Sequence, residues 1–161
     1  MIRLYILLIL LTLASCSKKK SSSTITEVTF GRFCGECWRG NCAPMYSYNV
    51  TDSAITLYAD TSNHYFHSKK PVCEVKISDT VKYRIVEALI KKIPPVLLNY
   101  DENEHTFGKP DDHDQCGVYL ELVYNGERKK FIIDPTALDE VPTEVAQFAS
   151  LIDEKVEELM K

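Results

Sequence analysis

No stretch of this 161-residue chain is apolar for long enough to cross a bilayer. The run at residues 4–13 covers about 15 Å of helix, half of a hydrocarbon core. Glycine is scarce, six residues in all, and none of them builds a phosphate-cradling loop. There is also no nucleophile elbow and no metalloprotease His-Glu pair, so no catalytic class is announced by a motif. Basic charge is sparse where it would matter for nucleic acid. Of 19 Lys and Arg residues, four lie before residue 24, leaving 15 against all 23 acidic residues, a body charge of −8. Such a body repels phosphate backbones, which excludes nucleic acid as a partner. With 45% hydrophobic and 26% charged residues, the composition is that of a globular protein.

What is present begins at the N-terminus. Arg3 and the amino group precede the apolar run, and Leu13-Ala14-Ser15-Cys16 follows it. The order of charge, apolar segment, small residues and cysteine resembles the signal peptide and lipobox of bacterial lipoproteins. That resemblance implies cleavage before Cys16, a diacylglyceryl group on its thiol and acylation of the new amino group. Three chains, at about 0.8 kcal/mol per buried methylene, would hold the protein to a membrane permanently. Ser17, with no acidic run after Cys16, resembles the outer-membrane pattern of enterobacterial lipoproteins and gives a periplasm-facing location as the expectation. The polar segment Ser17-Lys18-Lys19-Lys20-Ser21-Ser22-Ser23 reads as a flexible tether, whose lysines either meet anionic lipid or only keep the linker hydrated. Residues 1–15 are thus a leader, 16–23 a lipidated cysteine and tether, and 24–161 one domain.

Within that domain, Thr24 to Phe33 alternates as a half-buried strand. Met45 to Thr51 and Ala54 to Ala59 alternate about Asp52-Ser53, which predicts a hairpin, and Val72 to Ile77 reads as a further strand. Asp79 is placed to cap a helix whose stripe is Val81, Ile85, Leu89 and Ile93, widened by Val86 and Ile90 and stopped by Pro94-Pro95. Tyr100 to Gln115 is polar and aperiodic, a surface loop. Asn125-Gly126, between two strand-like runs, predicts a type I′ hairpin. Pro142 opens a closing helix with Val145, Phe148, Ile152, Val156 and Leu159 on one face. The expected fold is α+β, a mainly antiparallel sheet of about six strands with two helices packed on it.

The only tryptophan falls in the densest chemistry of the chain, the segment from Phe33 to Tyr46 that holds Cys34, Cys37 and Cys42. Without Cys16, five cysteines remain: 34, 37, 42, 73 and 116. Outside the cytosol thiols tend to pair, and five cysteines allow two bridges in fifteen arrangements, among which sequence alone does not choose. The segment resembles the opening of an uncharacterised bacterial lipoprotein domain family, Cys-Phe-Gly-x-Cys-Pro-x-Tyr. Cys37, Gly40, Cys42, Pro44 and Tyr46 match, Trp38 stands in place of Phe, Arg39 and Ala43 are insertions, and Cys34 is extra. The resemblance implies a strand pair, a helix, an Asn-Gly hairpin and a closing helix, and an envelope location, but no activity.

Three chemistries compete for the cysteine, histidine and acidic residues. Cys34-Gly35-Glu36-Cys37 has the spacing of a redox dithiol, but Gly40, Asn41 and Pro44 break the helix such a thiolate needs. Zinc on Cys34, Cys37 and Cys42 with His64 or His67 lacks a second ligand pair, so no metal is assigned. The acidic stretch Asp101 to His105 and Asp111 to Asp114 fails the EF-hand pattern, with Thr106 where glycine belongs and Asp112 where glutamate belongs. No cofactor is expected. The remaining reading is a non-catalytic binding or structural module of the cell envelope, its alternative a thiol or metal protein. The candidate contacts to an envelope partner are Trp38, Arg39 and Tyr46, if their side chains are exposed instead of packed on the sheet.

Overall fold

The structure is a computed structural model that describes residues 24–34, 43–51, 55–60, 62–110 and 116–161. Three strands open the domain, β1 (Ile25–Cys34), β2 (Met45–Val50) and β3 (Ile55–Asp60), followed by the short helix α1 (His64–Ser68) and strand β4 (Val75–Ile77). Helices α2 (Thr80–Ile90) and α3 (Pro95–Leu98) lead into β5 (Glu104–Phe107), the hairpin β6 (Cys116–Tyr124) and β7 (Glu127–Ile133), and the closing helix α4 (Thr143–Leu159). The fold is α+β. Its sheet has seven strands in the order β4-β3-β2-β1-β6-β7-β5, antiparallel throughout except where β5 runs parallel to β7.

The six-strand antiparallel expectation is thereby corrected. Residues 104–107, read as part of a polar loop, form the added strand, because His105 and Phe107 turn inward against Tyr100 while Glu104 and Thr106 face out. Among the described residues two short helices add to the two expected long ones. β1 is the central strand, so Val28 to Gly31 is buried on both faces and only its ends alternate. The Val72–Ile77 run pairs only from Val75.

Local signals explain most boundaries. Asn125 and Gly126 have φ of 54° and 85°, the positive values a type I′ turn requires. Asp79 caps α2, its Oδ1 accepting from the amides of Val81 (2.7 Å) and Lys82 (3.4 Å). The buried stripe of α2 is Val86, Leu89 and, beyond its end, Ile93, whereas Val81, in the first turn, is 62% exposed. Pro142 is the residue before the first turn of α4, and the five apolar residues expected on one face of that helix are all buried. Both long helices pack on one face of the sheet, over Val28, Phe30, Tyr46, Tyr48, Leu57, Leu120, Leu122, Phe131 and Ile133. Tyr46, 6% exposed and stacked on Phe30 at 5.8 Å between ring centroids, belongs to this core. It is not available as a contact residue.

Candidate functional site

Among the described residues no long helix covers the opposite face of the sheet, which carries a second, smaller apolar cluster at one end: Phe33, Ala43, Met45, Tyr65 and Tyr119. The register of β1 against β6 sets Cys34 opposite Cys116 and Phe33 opposite Gly117, and the two cysteines are joined by a disulfide across 82 residues of sequence. A side chain at 117 would not fit: its Cβ would stand 2.4 Å from the Phe33 ring and 2.8 Å from Pro110. Glycine there lets Phe33 lie flat against β6.

The Phe33 ring meets Tyr65 at 5.3 Å, and Tyr65 meets Tyr119 edge-on at 5.2 Å. Tyr65 belongs to α1, a helix of five residues that could not persist alone. It is pinned by the buried Asp60 carboxylate, which accepts from the Ser62 amide (2.9 Å), the Ser62 hydroxyl (2.8 Å) and the Tyr65 amide (3.4 Å). Asn63 Oδ1 in turn accepts from the Ala43 amide at 3.0 Å. Cys73 packs beside this cluster as a free thiol. Burial first, and the Asp60 charge second, push that thiol up to about 12. A thiol held protonated is a poor nucleophile, so Cys73 serves packing here.

A second wall comes from the turn after β5. Gly108, with φ of 71°, reverses the chain close against Asp134. The buried Asp134 carboxylate accepts from the Thr136 amide (2.8 Å) and hydroxyl (2.7 Å) and the Ala137 amide (3.2 Å), and also from the Lys109 amide. Burial alone would raise this carboxyl, but the bonds from Thr136, Lys109 and Ala137 outweigh it and hold it below its ordinary value. A depressed carboxylate stabilises the fold above its unfolded-state value near pH 3.9, and that contribution is lost as pH falls through the folded value. The expected result is a urea midpoint that declines below about pH 4 in the native protein and declines less in Asp134→Asn, measured at several pH values.

Between these walls lies an open cleft of about 450 Å³. Phe33, Tyr65 and Ile132 form its floor, Thr106, Gly108 and Pro110 one side, and Lys69, Lys109 and Lys130 its rim. The Lys69 ammonium stands 6.0 Å over the Phe33 ring centroid, and Lys130 pairs with Glu104. Farther along the same face Tyr119 donates to Glu121 at 2.7 Å. Arg128 bridges Glu121 and Glu27. Burial first and Glu121 next raise the Tyr119 phenol, which therefore stays a donor at any ordinary pH. Lys69 and Lys109, beside a Lys130 already paired with Glu104, set net positive charge next to aromatic carbon in an acidic body, an arrangement suited to an anionic group attached to an apolar one.

The residues singled out from sequence are distributed differently. Cys34 is committed to Cys116, so neither the Cys34-Cys37 dithiol nor a zinc set on Cys34 is assembled in this state. His64 and His67 lie on α1. Among the described residues no group of three His, Cys, Asp or Glu side chains is placed to hold a metal ion. Of the acidic stretch, Glu102 pairs with His105 at 2.9 Å and Glu104 with Lys130. Cys16, Cys37, Trp38, Arg39, Cys42 and Asp111 to Asp114 lie outside the described residues. The cleft lysines were not visible in the sequence. The one local signal is Lys69-Lys70 close behind Tyr65, which gains meaning only when β5 and β7 bring up Lys109 and Lys130. Compared with family models, curated proteins and solved structures, the chain gives no match.

Proposed function

We propose that this chain is a lipid-anchored lipoprotein of the cell envelope, held at the outer membrane and facing the periplasm, whose domain is a non-catalytic binding module. Its site is the lysine-rimmed cleft, and its ligand is an anionic molecule with an apolar or aromatic body. The observation that carries the binding reading is that Lys69, Lys109 and Lys130 line one cleft with Phe33 and Tyr65, the Lys69 ammonium standing over the Phe33 ring. The anchor reading is supported by the order of Arg3, the apolar run, Ala14-Ser15 and Cys16. Among the described residues no helix is long and apolar enough to cross a membrane. The geometry is compatible with both readings at once. Ile25 begins β1 and Phe33 nearly ends it, so about 26 Å of extended chain separates the domain's entry from its cleft.

The test is a screen of small anions, aryl phosphates and fatty acids among them, by thermal shift on the purified protein, followed by titration of the best binder. Replacing Lys69, Lys109 and Lys130 together by alanine is expected to weaken it by about tenfold or more, and raising salt is expected to weaken the native protein in the same direction. Tight ligands that are all neutral, or an affinity the triple variant leaves unchanged, would remove this site. Fatty-acid labelling that is lost in Cys16→Ala tests the anchor separately.

A further inference from the structure

The end of the domain opposite the cleft carries a groove of about 340 Å³ whose walls are mainly apolar: Ile25, Val50, Ile55 and Ile90, with Lys91 at the lip. Its polar floor is satisfied internally, Tyr48 donating to the Glu87 carboxylate at 3.3 Å. Ile55, 45% exposed, is among the few large apolar side chains the domain leaves in solvent. We propose that this groove is the membrane-contacting face of the domain, filled by the acyl region of the lipid leaflet in which the protein is anchored.

Four observations choose that occupant. The chain enters the domain at the groove itself, since Ile25 and Thr26 form one wall. The segment from Cys16 to Thr24 covers eight residue steps, at most about 28 Å when fully extended, which keeps this end of the domain near whatever holds Cys16. That segment is serine and lysine, too polar to fill an apolar groove on its own. Lys91 and Lys92 are exposed beyond the end of α2, a basic pair suited to an anionic headgroup layer. Apolar side chains flanked by lysines are the arrangement by which a protein surface sits in an interface.

The inference rests on the anchor reading, and its test keeps the two apart. A photo-crosslinking residue is introduced as Ile55→p-benzoylphenylalanine in the full chain expressed in cells, with Leu138→p-benzoylphenylalanine as the comparison. Leu138 is the more exposed of the two, at 69%. It follows β7 in the segment that packs against Gly108 on the cleft side. The expected result is a phospholipid adduct at 55 that is absent at 138 and reduced several-fold when Lys91→Glu is added. Protein that still carries the fatty-acid label on Cys16 but gives no lipid adduct at 55, or a protein adduct there, overturns the groove assignment alone. Loss of the label itself overturns the anchor reading and this inference together.

Discussion

Replacing Cys34 and Cys116 by serine is expected to lower unfolding stability by about 4.5 kcal/mol, the loop-closure entropy of an 82-residue separation in the chain-entropy model. Against a total of roughly 5 to 15 kcal/mol for a domain of this size, that loss is between about a third and nine-tenths of the whole. The melting temperature should fall by about 15 °C. Adding reductant to the native protein should reproduce the change, whereas the double-serine variant should no longer respond to reductant. The effect also reaches the cleft. Phe33 and Gly117 are the neighbours of the bridged pair, so fraying β1 from β6 at this end releases the aromatic floor on which the ligand would rest. Equal urea midpoints for the native and double-serine proteins would show that the bridge contributes nothing.

Tyr46→Ala should give the second large loss, about 3 to 5 kcal/mol, as expected when a large buried ring is truncated in a close-packed core. The residue lies against Phe30 on the helix-covered face, within the same cluster as Leu57, Val86 and Leu120. The outcome separates two roles that the sequence leaves open. A core residue lowers the urea midpoint and leaves ligand affinity intact under native conditions. A contact residue does the reverse, which is the pattern expected of the Lys69, Lys109 and Lys130 replacements. A Tyr46→Ala protein of native stability would contradict its place in the core.

These residues also show what a linear reading reaches. Asn125-Gly126, the Asp79 cap and the stripe of α4 are dictated within one turn or a few residues, and the structure realises each of them. β5 escaped because four residues are too few to show a period of two, and because its partner β7 lies beyond β6 in sequence. Val81 has the spacing of a core residue but is exposed, because burial along α2 begins only at Val86, and that depends on where the helix sits and not on what it contains. The pairing of Cys34 with Cys116 is one of many allowed by counting, and is selected only by the β1–β6 register. The cleft needed still more. Its lysines come from three separate segments, each unremarkable where it stands, and only the sheet order makes them neighbours.

The two outermost strands of the sheet are stubs, three residues in β4 and four in β5. A long unpaired border offers its amides and carbonyls as a template for a neighbouring molecule, and short ones offer almost none. Charged side chains on these borders, Lys76 on one and Glu104 on the other, further discourage a second chain from adding on. Molecules crowded side by side on a surface meet one another far more often than molecules free in solution. For a chain held at a surface, as proposed for this one, truncated borders would give such encounters little backbone to pair with.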